Sequence, residues 1–150
     1  MTEDPMDYEQ LVAMINKDIQ LVVVSKNQPV EKIYELYQKG CRHFGESRVQ
    51  EWEQKKRALP QDIEWHFIGT LQKNKVRKVI GCALIHSVDS IPLAEKISEV
   101  SVEKGIKTKI LLEVNTSGEA TKHGFTEDDV IKAIEASRQM PGISLEGLMT

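Results

Sequence analysis

A lysine follows directly on an apolar, β-branched run in Leu21-Val22-Val23-Val24-Ser25-Lys26, and Asn27-Gln28-Pro29 then breaks the pattern. An amine at the carboxyl end of a buried strand is placed for carbonyl chemistry. Desolvation disfavours the ammonium, and the neutral amine attacks a carbonyl carbon to form a Schiff base. The competing reading is a lysine that marks the solvent end of a strand, and the local sequence alone favours it. The other candidate groups are weaker. His66 and His86 lie in apolar runs, where a lone histidine is more often a hydrogen-bonded core residue than a ligand, and no His, Asp or Glu spacing builds a metal site. Cys41 and Cys82 are far apart, without partners at metal spacing, and read as small buried hydrophobes. Glu113, Asn115 and Glu146 are candidates for an interior near Lys26, equally explicable as a structural network, so no residue is assigned as catalytic.

The elements that must position these groups alternate in type. Short β-branched runs at 20–25, 42–44, 64–68, 83–87, 109–114 and 143–149 are followed by helical spacing at about 29–39, 48–58, 73–80, 91–104 and 127–139. A leading helix starts at Tyr8 with Asp7 as its N-cap. Thr126 caps the last helix, where Glu127, Asp128 and Asp129 face the positive end of the helix dipole. This alternation predicts a parallel α/β unit with right-handed crossovers. A doubly wound sheet and a (β/α)8 barrel both satisfy it, and the strand faces discriminate. Ile110, Leu112 and Val114 oppose Glu113 and Asn115, while Ile143, Leu145 and Met149 oppose Ser144, Glu146 and Thr150. A sheet buried on both faces reads as continuous hydrophobics, whereas a barrel rising to a polar mouth accommodates the division. Six strands and five following helices fall about two βα units short of that barrel. The expected fold class is therefore α/β, an incomplete (β/α)8 TIM barrel forming one domain over residues 1–150.

The chain has 150 residues, of which 29% are charged and 40% hydrophobic, with a formal net charge of −3 that offers no bulk attraction for nucleic acid. Lys73, Lys75, Arg77 and Lys78 form the densest basic run and read as a solvated helix face. No window approaches the roughly 20 apolar residues of a membrane span, and Met1-Thr2-Glu3-Asp4-Pro5 lacks the features of a secretory signal. The expected address is cytoplasmic, without nucleic-acid or membrane partners.

Several segments at the strand ends, taken together, carry more information than any one of them. They are Val24-Ser25-Lys26, His43-Phe44-Gly45-Glu46-Ser47-Arg48-Val49-Gln50-Glu51, and Trp65-His66-Phe67-Ile68-Gly69-Thr70-Leu71-Gln72-Lys73-Asn74-Lys75. Further along come His86-Ser87-Val88-Asp89, Asn115-Thr116-Ser117-Gly118-Glu119 with Lys122 and Gly124, and Gly147-Leu148-Met149-Thr150. In order and spacing, from Leu21 to Thr150, the chain resembles the pyridoxal phosphate homeostasis protein family. The resemblance implies the barrel of fold-type III pyridoxal-phosphate proteins, with pyridoxal 5′-phosphate (PLP) as cofactor and Lys26 at the position of the lysine that forms the internal aldimine. It also implies a role in vitamin B6 and amino-acid homeostasis by binding rather than by turnover.

Two positions depart from the family pattern. Ser47 stands where relatives usually carry an asparagine that approaches the cofactor, keeping a hydroxyl but losing the amide's paired donor and acceptor. Thr70 stands where proline or histidine is common. The resemblance places the phosphate cradle beyond Thr150, so residues 1–150 are expected to hold the aldehyde anchor without the anion grip, and open sheet edges are expected to favour self-association. Competing readings are a fragment of a fold-type III PLP-dependent racemase or decarboxylase, and a scaffold remnant that binds no cofactor.

Overall fold

All six strands run in one direction and pair in chain order. The computed structural model describes residues 6–119 and 123–150. Its sheet consists of β1 (Val23–Val24), β2 (His43–Glu46), β3 (Glu64–Phe67), β4 (Leu84–Val88), β5 (Thr108–Glu113) and β6 (Ile143–Met149), ordered 1-2-3-4-5-6 and parallel throughout. A doubly wound sheet reverses strand order at a switch point, whereas here each crossover advances by one strand in the same sense. The described residues therefore form a six-strand arc of a (β/α)8-type barrel.

The helices are α1 (Tyr8–Met14), α2 (Val30–Gln38), α3 (Val49–Ala58), α4 (Val76–Val79), α5 (Ile91–Glu103) and α6 (Glu127–Arg138), with a 3-10 turn at Lys73–Lys75 leading into α4. Their starts follow local chemistry. Asp7 and Gln10 form a reciprocal capping box on α1, Ser90 accepts from the Leu93 N–H with Pro92 in the first turn of α5, and Thr126 accepts from the Asp129 N–H on α6.

The sheet face that carries Phe44, Trp65, Phe67, Ile85, Ile110 and Leu112 packs against Ile33, Trp52, Val76, Val79, Ile97, Val100 and Ala133, and this is the core. Each such apolar side chain contributes about 1.5–3 kcal/mol by leaving water, before the cost of ordering it. The opposite face is the polar one, carrying His43 on β2, His66 on β3 and His86 on β4.

Two sequence expectations change. The first strand, expected over 20–25, pairs only at Val23 and Val24, because it has a single neighbour and the chain before it lies outside the ladder. In the sixth strand, Ile110 pairs with Leu145 but Leu111 pairs with Gly147, so Glu146 is an extra residue in a β-bulge. Beyond the bulge the alternation inverts: Leu148 aligns with Leu112, and Met149 aligns with Glu113 on the polar face rather than with Ile143 and Leu145.

Among the described residues no helix is long and apolar enough to cross a membrane, and no group of His, Cys, Asp and Glu is arranged to hold a metal ion. Both cysteines are free, and burial pushes the Cys82 thiol up to about 12. The polar start Met1 to Pro5 and the motif lysine Lys122 lie outside the described residues.

Candidate functional site at the carboxyl rim of the sheet

Parallel pairing brings the ends of consecutive strands to one rim, so the segments singled out in the sequence gather there. Lys26 follows β1, Ser47 follows β2, Gly69 and Thr70 follow β3, Asp89 follows β4, Asn115 follows β5 and Thr150 follows β6. Neighbouring loops on this rim touch. A Cβ on Gly69 would lie 2.2 Å from the Ser47 carbonyl oxygen, so only glycine lets the two loops approach this closely. The Ser87 hydroxyl donates to the Gly69 carbonyl, and the Thr116 and Thr150 hydroxyls are 2.8 Å apart.

Lys26 occupies the second position of a tight turn. The Gln28 N–H donates to the Ser25 carbonyl at 3.1 Å, and Asn27 has a φ of 62°, the only positive φ at a non-glycine among the described residues. Positive φ at the third position is the type II pattern, which favours glycine or asparagine there. The turn leaves the Lys26 side chain exposed, with no hydrogen bond or ion pair among the described residues. The expectation of an amine desolvated by a buried strand is therefore corrected. β1 is an edge of the sheet with Val24 52% exposed, and it gives the lysine no apolar cover.

Beneath the turn lies a buried ionic cluster. Lys55, from α3, is 5% exposed, and its Nζ donates to the Ser25 carbonyl (2.6 Å), to both Glu46 oxygens (3.1 and 3.0 Å) and to Glu51 Oε1 (2.7 Å). Glu46, fully buried at the end of β2, also accepts from the Ser25 hydroxyl. Glu51 Oε1 accepts from the Asn27 N–H at 2.6 Å. Burial pushes the Glu46 carboxyl up, opposed by its hydrogen bonds from Ser25 and Lys55, while the Lys55 hydrogen bond holds Glu51 below the usual carboxylate range. The sequence motifs did not single out Lys55. A signal was present, since Val49, Trp52 and Lys55 fall on one face at a spacing of three, two of them hydrophobic, and Glu51 precedes Lys55 by four.

Ser47 is half-buried and lines a cleft of about 590 Å³ between the start of α3 and the loop after β3. Its polar wall includes Arg48, Glu51, Gln54, Thr70, Gln72 and Lys75, and Lys26 is not among its lining residues. Glu46 and Gly45, expected in the loop after the second strand, belong to β2 itself. Glu113 and Asn115 line a separate cavity with Thr116, Ser117, His123, Met149 and Thr150, while Glu146 is exposed and accepts from the Ser144 hydroxyl. None of the three lines a cavity with Lys26: in the sequential order three strands lie between β1 and β5, which carries Glu113 and leads to Asn115, and four lie between β1 and β6, which carries Glu146.

On the polar face the histidines are not solitary. His43 Nδ1 lies 3.0 Å from His66 Nε2, His66 Nδ1 lies 2.8 Å from His86 Nε2, and His43 Nε2 lies 3.0 Å from Glu64 Oε2. With all three rings neutral, the carboxylate at one end sets the tautomers along the chain: His43 donates Nε2–H to Glu64, His66 donates Nε2–H to His43, and His86 donates Nε2–H to His66. Burial, then repulsion from His86 and His43, lowers the His66 value to about 4, and burial lowers His86 as well.

The fold and its lysine-bearing rim define a class. Residues 7–150 match the model of the alanine racemase N-terminal domain. A pyridoxal phosphate homeostasis protein of Aquifex aeolicus is 42% identical over 132 residues, covering 87% of this chain and 58% of the relative. The protein of the same name from Synechocystis is 35% identical over 149 residues, covering 97% of this chain and 68% of the relative. PipY of Synechococcus elongatus, solved with PLP bound, superposes with a TM-score of 0.86 at 38% identity, covering 94% of this chain and 66% of that one. The chain belongs to the pyridoxal phosphate homeostasis protein family, and it spans about three fifths of the length of most curated relatives it matches.

Proposed function

We propose that this chain binds pyridoxal 5′-phosphate through a Schiff-base linkage to Lys26 and serves vitamin B6 and amino-acid homeostasis in the cytoplasm, without turnover of its own. The observation that carries the reading is the Lys26 amine, presented unpaired at the carboxyl rim on a turn whose backbone is fixed on both sides. The residues present fit the aldehyde end of the cofactor: Lys26 offers a primary amine with no hydrogen bond or ion pair among the described residues, and the unprotonated form of such an amine is what attacks a carbonyl carbon. When bound, PLP supplies that aldehyde carbon and an electron-withdrawing ring. Ser47 offers a hydroxyl at the next strand end, in the place where relatives usually carry an amide. The PLP-bound PipY structure supports binding of the cofactor, and the relatives' names, which are those of homeostasis proteins, fit a binding role.

Borohydride reduction of the chain with PLP, followed by peptide mapping, is expected to locate a pyridoxyl adduct on Lys26 and to lose it in Lys26→Ala. Equal labelling of Lys73, Lys75 and other surface lysines would overturn the assignment. A second titration compares pyridoxal with its phosphate ester. Hydrogen bonds to a charged group contribute about 1.5–3 kcal/mol each, so without a phosphate cradle in residues 1–150 the two ligands are expected to bind nearly equally. A large preference for the ester would place an anion site within the chain, and the cleft bearing Arg48, Gln72 and Lys75 would be the first to mutate.

A further inference from the structure

We propose that Lys55, acting with Glu46 and Glu51, is a positioning residue for Lys26: its buried Nζ locks the turn that aims the Lys26 amine off the rim. The inference rests on the assignment of Lys26 as the cofactor lysine and extends it to the residues packed beneath its turn.

The geometry is specific to this turn. Residues 25 and 27 flank Lys26, and both are tied to the cluster through their backbones: the Ser25 carbonyl by Lys55, the Asn27 N–H by Glu51. The Ser25 carbonyl also accepts from Gln28, so both of its lone pairs are used, and the Ser25 hydroxyl is tied to Glu46. With the atoms on either side held, the direction in which Lys26 leaves the strand is set by α3 and β2 rather than by the two-residue strand β1. Among the described residues that strand has one neighbour and pairs with it at two positions only. A buried ion pair is also a poor source of stability, since taking two charges out of water costs about as much as their attraction returns. Its use in fixing one backbone geometry accounts for its presence here better than a stabilising role does.

The test separates aim from amine chemistry and from folding. Glu51→Ala removes the acceptor for Asn27 from a partly exposed helix position; Glu51→Gln keeps an acceptor oxygen there. Lys55→Met combined with Glu46→Leu removes the grip on Ser25 without stranding a buried charge. Circular dichroism and thermal melting report folding, and hydrogen exchange reports the Asn27 and Gln28 amides. Trace acetylation reports the intrinsic reactivity of Lys26, and borohydride trapping reports the rate of adduct formation with PLP. The expected result is at least tenfold slower trapping at Lys26 in Glu51→Ala and in the double variant, faster exchange of the Asn27 and Gln28 amides, unchanged acetylation, and recovery to within threefold in Glu51→Gln. Folded variants that trap PLP within threefold of the parent, or a Glu51→Gln as slow as Glu51→Ala, would overturn the proposal. If the double variant does not fold, the two Glu51 variants decide alone. Absence of any Lys26 adduct in the parent would instead sink the cofactor reading, with amide exchange still showing whether the cluster holds the turn.

Discussion

Burial disfavours a charge on His66, and repulsion from the His86 and His43 rings on either side adds to it. His66 has an ordinary value of 6.5 and sits at about 4 in the folded chain, so the unfolded chain binds its proton more readily. The stability this contributes is fully present above pH 6.5 and is lost as pH falls from 6.5 towards 4, with a limiting slope of about 1.4 kcal/mol per pH unit for one proton. Glu46 acts with the opposite sign, because its raised carboxyl value favours the folded state at low pH. Comparison with a His66→Asn variant removes Glu46 from the difference. Urea unfolding at several pH values is expected to show the parent losing stability relative to His66→Asn between pH 6.5 and 4, and parallel curves would refute the shift. Lys26 and Ser47 stand out in the sequence as single residues because the motifs that carry them are local. The linked histidines do not, since nothing in positions 43, 66 and 86 announces that parallel register stacks them side by side.

At the scale of elements, the chain relies on close approaches between backbones where a loop hands over to a strand. Gly142 precedes β6, and a Cβ there would lie 2.1 Å from the Ser98 carbonyl oxygen of α5, while its N–H donates to the Ser98 hydroxyl at 2.9 Å. Gly142→Ala forces α5 and β6 apart at a place where neither can yield cheaply. It is expected to cost about 1–3 kcal/mol and to lower Tm by several degrees, measured by thermal melting. An unchanged Tm would mean that the approach relaxes freely. The helices themselves were well marked in the sequence: caps at Asp7 and Thr126 lie where expected, and the six strands fall in their expected places within a few residues. The bulge at Glu146 was not marked. It arises from matching the register of β6 to β5, a relation between two segments that no single segment encodes.

For the molecule as a whole, β1 and β6 each have one strand neighbour among the described residues, with Val24 52% and Leu148 53% exposed beside them. Unpaired strand backbone next to apolar side chains is a template for further pairing. The 150-residue chain in isolation is therefore expected to self-associate through these edges, with a larger mass at higher concentration in light scattering. A stable monomer with cooperative unfolding would show that the edges are covered by other means.

The sequence by itself determined the α/β alternation, the barrel class, the family and the lysine on which the proposed chemistry turns. Each of these is carried by hydrophobic period, capping residues or a contiguous motif, all of which act over a few residues. Only the tertiary structure decided that Lys26 is exposed rather than desolvated, that Lys55 is buried beneath it, and that Glu113 and Asn115 stand on a different part of the rim. Those outcomes depend on which strand lies beside which and on how many neighbours each strand has. Solvent exposure and the pairing of buried charges are properties of that arrangement, and the local chain does not contain them.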